Sequence, residues 1–431
     1  MSTTARVLRK PDVTVRMEQA LLAGIVLLLP IRAISPVVSS IVSIGVVLAL
    51  PVLFVAVFRM PRYRAGGLVL TLFALILFTA PLLWFAADER TVSEDGALAA
   101  MLTIAVAFVH LSTLLWARSK IGTHLVVVLY AVGMIVQVLL TLSHTSGNPW
   151  KFGLAVPATL LALAIASRAR PFWTVLVFAI AMALSIHFDF RSFVGLPLVA
   201  LFVWAWNRRS AIAPGWKIFG FVLVSAVAYF GGTQAALAGW LGERNRIVTQ
   251  MQIAESGSVL AGGRVESAAA WALFIERPIG LGPGVLPTVH DVLVGQAALL
   301  QRGVAIDGDY VTDYLFGAGV KLHSIAADLW VNYGLAGLGL ALLILWIAIR
   351  ALFQGLKERS TPGFVFFAVV LTLWNLAFSP IGTNLWETIL MVAVLMGAQS
   401  YRAQPNAGAT QSKAPQLTRF NTIPQRARAG H

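Results

Sequence analysis

The chain contains no cysteine. That removes structural disulfides, thiolate catalysis, iron–sulfur clusters and cysteine-bound zinc, and it leaves the redox compartment open. Charge is scarce as well: only 12% of the 431 residues are charged, where an ordinary soluble domain carries about a quarter. Hydrophobic residues make up 58% of the chain and mean hydropathy is +0.81, so an ordinary soluble fold is excluded. Glycine (36) and proline (19) are present at everyday levels, which excludes collagen and low-complexity disorder.

What the chain does have is a series of long apolar runs. They predict an all-α polytopic membrane protein of about twelve transmembrane helices, at 19–31, 36–58, 66–86, 97–116, 122–142, 152–167, 172–187, 192–206, 216–236, 323–349, 363–379 and 385–400. Most runs approach the ~20 apolar residues needed to cross a bilayer; those at 19–31, 152–167, 172–187, 192–206 and 385–400 are shorter. Four parts follow: an N-terminal bundle of about nine spans (1–236), a helical loop or cap (237–322), three C-terminal spans (323–400) and a flexible cytoplasmic tail (401–431). No cleavable signal peptide is expected, because the first apolar run ends at Pro30 and Arg32 without a small-residue cleavage site.

The net charge of +14 takes its meaning from placement. With the N-terminus inside, alternate connections hold Arg59, Arg62 and Arg64, then Arg118 and Lys120, then Arg208, Arg209 and Lys217; in all 22 of the 32 lysines and arginines lie on that side. The short connections opposite hold only Arg32, Arg90, Lys151 and Arg191. Positive residues concentrate on the cytoplasmic side, so both termini are predicted inside and 237–322 outside. The basic excess reads as a topology signal with contact to anionic membrane lipid; no aromatic-interleaved basic patch points to nucleic acid.

The one long connection is the expected working surface. Residues 243–256 place Ile247, Met251 and Ala254 at helical spacing, and 264–276 place Ala268, Trp271, Ala272 and Ile275 on one helix face. Gly262 and Gly263 precede that second helix and Pro278 stops it. Gly280-Leu281-Gly282-Pro283-Gly284 then reads as a rigid turn, and a third helix is expected over 289–302. The segment thus predicts a small helical cap lying against the outer membrane face.

Three side chains stand out. Arg191, in His187-Phe188-Asp189-Phe190-Arg191-Ser192, runs against the charge bias at the outer end of a span. A snorkelling or Asp189-paired arginine is the plainer reading. A clamp for phosphate oxygens, at a membrane those of a lipid headgroup or a lipid-linked pyrophosphate, is the functional one. Arg264 opens a helix after two glycines, a second place where an anion can meet backbone N–H groups; the plainer alternative is a surface contact with Glu266. His323 stands where the cap meets the tenth span, whose 27 residues make ~40 Å of helix against ~30 Å of hydrocarbon. Most interfacial histidines only hydrogen-bond a neighbour, but one whose reference pKa is ~6.5 can serve as a general base. His110, His124, His144, His187, His290 and His431 are less well placed.

No metal site is expected: no H-E-x-x-H occurs, no histidines stand four apart, and Asp307, Asp309 and Asp313 lack calcium-loop spacing and read as a solvated face. The glycine-rich turn lacks the lysine and strand of a nucleotide loop. Gly334, Gly337 and Gly339 read as close helix packing in lipid.

Taken together, Arg191-Ser192 ahead of the long loop, Gly263-Arg264 with Trp271, Glu276-Arg277-Pro278-Ile279-Gly280-Leu281-Gly282-Pro283-Gly284, and His323-Ser324 nine residues before Gly334-Leu335-Ala336-Gly337 resemble the O-antigen ligase/polymerase family of bacterial membrane glycosyltransferases. The motifs cover about 191–345. Trp271 stands farther from Arg264 than in many members, and Ser324 replaces a commoner asparagine. The resemblance implies a glycosyltransferase of the bacterial inner membrane that moves glycan from undecaprenyl pyrophosphate to lipid A–core oligosaccharide on the periplasmic face. No cofactor or metal is implied, and Arg191, Arg264 and His323 become the catalytic and pyrophosphate-binding set. Chain-extending polymerases and protein O-oligosaccharyltransferases of the same family are the near alternatives. A lipid or glycan transporter is the alternative from another class, and it would want ionisable groups near mid-bilayer, where His110 is the clear candidate.

Overall fold

A computed structural model describes residues 13–32, 41–87, 90–141, 147–209, 213–256, 259, 264–304, 306 and 308–400. The predictions at Gly262, Gly263, Asp307, His144, His431 and the tail 401–431 lie outside them.

Helices occupy each predicted apolar run. In chain order they are α1 (Val13–Leu28), α2 (Ile44–Arg62), α3 (Gly66–Trp84), α4 (Glu94–Ile121), α5 (Thr123–Leu140), α6 (Trp150–Ala166), α7 (Pro171–His187), α8 (Arg191–Arg209) and α9 (Pro214–Leu237), then α10 (Glu243–Ser256), α11 (Glu266–Glu276), α12 (Val289–Leu300), α13 (Ile325–Lys357), α14 (Gly363–Phe378) and α15 (Ile381–Ser400). No strand forms among the described residues, where only two isolated bridges occur. The chain is therefore an all-α protein. Among the described residues six helices (α2, α3, α4, α5, α9 and α13) are long and apolar enough to cross a membrane, and α6, α7, α12, α14 and the Ile381–Met396 part of α15 are shorter apolar helices.

The boundaries follow local chemistry. Ser93 caps α4 by accepting from the Gly96 N–H, and Ser324 caps α13 by accepting from Ala327. Pro171 and Pro214 open α7 and α9, where a missing N–H costs nothing. A single large core joins the helices before and after the cap, with Tyr130, Phe178, Phe193, Phe366 and Phe367 fully buried in it. Residues 264–322 form a second core of their own (Ala269, Leu273, Leu281, Leu299, Leu315 and Leu322 among them), which closes on Trp330 and Val331 of α13.

Three expectations need correction. The tenth apolar helix runs to Lys357, well past the predicted end at 349, because Ala351, Leu352, Phe353 and Leu356 continue the apolar run. Gly334 is not simply a site of helix packing. It has φ 62° and ψ −148° and breaks α13 in two. The break frees the Val331 carbonyl, which accepts hydrogen bonds from the N–H groups of Leu281 (2.9 Å) and Gly282 (3.0 Å). The glycine-rich turn of the cap is thus laid backbone to backbone on the kink: a Cβ at Gly334 would stand 2.5 Å from the Ile279 carbonyl, and one at Gly280 would stand 2.6 Å from that of Trp330. Finally, only part of the predicted apolar face of α11 is covered: Ala268 is buried with Glu266, Ala269 and Leu273, and Ala272 is half-buried, while Trp271 and Ile275 are exposed.

The kink yields a prediction. Gly334→Ala adds strain of about 1–3 kcal/mol at a conformation that only glycine adopts readily, plus the clash with Ile279. It should lower the thermal midpoint in detergent by several degrees. Gly24→Ala, where nothing lies within 4 Å of the added carbon, should leave it unchanged. Equal midpoints for the two variants would refute the kink as an essential joint.

Candidate functional site

The turn between α14 and α15 is the seat on which the site assembles. Asp328, one turn into α13 and buried, accepts from the backbone N–H of Leu322 (3.0 Å) and of Ile381 (2.9 Å). It therefore ties the end of the cap to the first residue of α15. Ser324 donates to the Leu376 carbonyl at 2.7 Å, and Arg264 donates through Nε to the Phe378 carbonyl at 2.9 Å. Two segments that are 59 residues apart in sequence, Arg264 and His323, are drawn to one helix end.

Between them lies Glu266. Its side chain is only 3% exposed, and Oε1 stands 2.9 Å from His323 Nδ1. Its other oxygen, Oε2, is buried without a hydrogen-bond partner. A carboxylate can only accept, so Nδ1 carries the hydrogen of the neutral imidazole and Nε2 keeps its lone pair. The Tyr314 hydroxyl lies 3.3 Å from Nε2 and the Tyr310 hydroxyl 3.3 Å from Nδ1. The two phenol rings stack at 5.3 Å, with Tyr314 4.9 Å from the imidazole. Lys321 lies over Tyr314 at 5.2 Å. His323 itself has φ 48°, a left-handed conformation that is uncommon outside glycine and is found where surrounding structure over-determines the backbone.

The electrostatics are those of one coupled cluster. Burial pushes the Arg264 guanidinium below its ordinary range, and Glu266 and Tyr314 partly restore it. Burial raises Tyr314, the charges of Asp328 and Glu266 raise it further, and Arg264 opposes them. Tyr314 is therefore a neutral phenol near neutral pH. A half-buried cation short of solvation, a buried carboxylate and an oriented imidazole can together hold an anion and take up a proton.

Arg191 is placed separately. It begins α8 and donates to Thr249 Oγ1 of α10 at 2.9 Å, while the adjacent Asp189 accepts from Asn245 of the same helix at 3.3 Å. Asp189, like His323, has positive φ (51°). A small cavity lined by Ser185, Asp189, Arg191 and Asn245 lies at this junction. Arg191 makes no hydrogen bond or ion pair with Arg264, Glu266 or His323 among the described residues. The structure thus unites two of the three predicted residues and leaves the third docking α10.

The other histidines have ordinary partners. His110 lies among Ser43, Tyr130 and Trp386, His124 meets the Ala164 carbonyl, and His290 pairs with Glu276 at 3.0 Å. Asp309 and Asp313 are exposed, as expected of a solvated face. Among the described residues, no three His, Asp or Glu side chains cluster as metal ligands.

Sequence reasoning missed Glu266, Tyr310, Tyr314 and the clamp role of Asp328. A signal existed for Glu266: it stands two residues after Arg264, on the buried side of α11 defined by Ala269 and Leu273. No family model, curated protein or solved structure matches this chain.

Proposed function

We propose that the chain transfers a glycan from a polyprenyl pyrophosphate to a hydroxyl acceptor at a membrane surface, as an O-antigen ligase-like enzyme. The observation that supports this most directly is the buried Glu266 holding His323 Nδ1 at 2.9 Å beside the half-buried Arg264. Such a trio suits activation of a hydroxyl next to a leaving anion.

In this reading the acceptor oxygen displaces Tyr314 from Nε2 and gives up its proton there. The oxygen attacks the anomeric carbon, and the bond from that carbon to the pyrophosphate breaks. The pyrophosphate departs on its lipid with the bonding electron pair. Arg264 offsets its growing negative charge, and Arg191, at the separate junction of α8 with α10, is the second cation assigned to the donor. Glu266 offsets the positive charge that appears on His323. A single displacement inverts the anomeric centre, and no carboxylate is placed as a glycosyl nucleophile. The donor would be undecaprenyl-pyrophosphate-linked glycan and the acceptor lipid A–core; a growing repeat unit, as in a polymerase, suits the same chemistry. The setting is the bacterial inner membrane, with about twelve spans, both termini cytoplasmic and the cap periplasmic.

Two experiments test this reading. Arg264→Ala and Arg191→Ala should each lower transfer by roughly 10- to 100-fold, the equivalent of a charge-assisted contact of ~1.5–3 kcal/mol. Lysine should restore little, since it lacks the planar fork. Full activity in both alanine variants would remove the arginines from the reaction. The orientation is checked by an engineered cysteine at Asp309, against a native background with no cysteine. An impermeant reagent should label it from the periplasm. Labelling only from the cytoplasm would overturn the arrangement.

A further inference from the structure

We propose that the α11–α12 hairpin is seated in the headgroup–acyl boundary of the bilayer, on the cap's side, by a stripe of apolar side chains. This holds whatever reaction the neighbouring site performs.

The hairpin is built inside out for a solvated element. On α12 the exposed apolar positions Val289 (78%), Leu293 (57%) and Leu300 (54%) recur at helical spacing, and Ala297 between them is exposed as well. On α11 they are Trp271 (64%) and Ile275 (62%), four residues apart. The polar groups go the other way. Glu266 and Asp291 are buried, and Asp291 is held by Arg90 at 2.8 Å and by Thr288. Burial pushes the Asp291 carboxyl up, but the hydrogen bonds from Arg90 and Thr288 outweigh it and hold it below the usual range. The exposed ionisable groups of the pair, Glu276 and His290, bond to each other. By contrast α10 keeps Glu243, Arg244 and Arg246 near its start. A helix pair that presents five large apolar side chains and buries two of its three acids has a hydrophobic partner.

The position of the hairpin identifies that partner as lipid. After Gly334, 23 residues lead to the end of α13 at Lys357, or about 35 Å of helix, close to the ~30 Å of a hydrocarbon core. The kink that carries the cap's glycine-rich turn therefore sits near one boundary of the bilayer. From there an aromatic chain leads to the exposed stripe: Trp330 donates to Pro278, its ring meets Phe274 at 5.3 Å, and Phe274 stacks with Trp271 at 5.8 Å. On the other side of the same turn, Trp84 at the end of α3 donates to the Pro283 carbonyl and is 38% exposed, and its neighbour Phe85 is 88% exposed. Exposed tryptophan and phenylalanine at the end of a spanning helix mark the interfacial aromatic belt. The turn that carries the hairpin thus packs at the end of a spanning helix, at the level where an amphipathic element would lie in the membrane plane.

The test places an environment-sensitive fluorophore on single cysteines introduced at Ile275, Leu293 and, as a solvated reference, Asp309, with the full chain in nanodiscs of phosphatidylethanolamine and phosphatidylglycerol. Nitroxide lipids labelled high on the acyl chain should quench the probes at 275 and 293 strongly and that at 309 weakly. Aqueous iodide should quench the probe at 309 several-fold more than the other two. Equal iodide quenching at all three positions would overturn the proposal. Shielding of 275 and 293 from both quenchers would overturn it too, because a protein surface would then cover the stripe.

Discussion

Replacing His323 by Gln should lower turnover by roughly 10²–10⁴-fold, the usual worth of a positioned general base. An acceptor hydroxyl is a poor nucleophile until its proton has a destination. His323 is the histidine whose second nitrogen is free of carboxylate and carbonyl partners while the first is fixed by a buried acid. Glutamine keeps hydrogen-bonding ability but takes no proton near neutral pH. Donor binding should survive, because in the proposed reaction the arginines rather than the imidazole hold the pyrophosphate. A folded His323→Gln variant within a few-fold of wild type would reduce the histidine to a cap of α13 or a passive contact to the acceptor. Binding of a lipid-linked pyrophosphate, measured alongside, separates loss of chemistry from loss of the site.

The second large effect is expected at Glu266. Glu266→Gln keeps the volume of the side chain and removes its charge, so the imidazolium formed during the reaction loses its counter-charge and the imidazole loses the partner that selects its tautomer. In carboxylate–imidazole pairs that loss costs up to about 10⁴-fold, and at least 10²-fold is expected here. Glu266 acts through His323, so its readout is the split between turnover and donor binding: turnover should fall while binding of the lipid-linked donor is retained. Glu266→Asp should recover part of the rate. A folded Glu266→Gln variant with wild-type turnover would make the pair a structural contact only.

The helices were legible because long apolar runs leave few alternatives, and the cap helices because their apolar residues recur at helical spacing. Arg264 and His323 were legible from their position at the ends of the loop. Glu266 was not: in the chain it is an acid two residues from an arginine, and only the packing of α11 on Leu273 and Ala269, followed by closure of the cap on Trp330 and Val331, buries it against His323. Tyr310 and Tyr314 sit in a stretch whose aspartates dominate its composition, and the π-helical turn Tyr310–Leu315 that aims both rings at the imidazole has no signature of its own. The exposure of Trp271 and Ile275 escaped notice for a related reason. Periodicity reveals that a helix has an apolar face, and not whether protein or lipid covers it. The kink at Gly334 is a tertiary feature as well: the backbone of Gly280 packs directly against it.

The central claim is that glycan is transferred from a lipid pyrophosphate to a hydroxyl acceptor. The most direct measurement supplies the purified protein in proteoliposomes with an undecaprenyl-pyrophosphate-linked glycan of known anomeric configuration and with lipid A–core, then determines the products. The account predicts glycan joined to the acceptor with inverted anomeric configuration, and one lipid pyrophosphate released per transfer. Donor that crosses the bilayer unconsumed, or product that retains the donor's configuration, would contradict it.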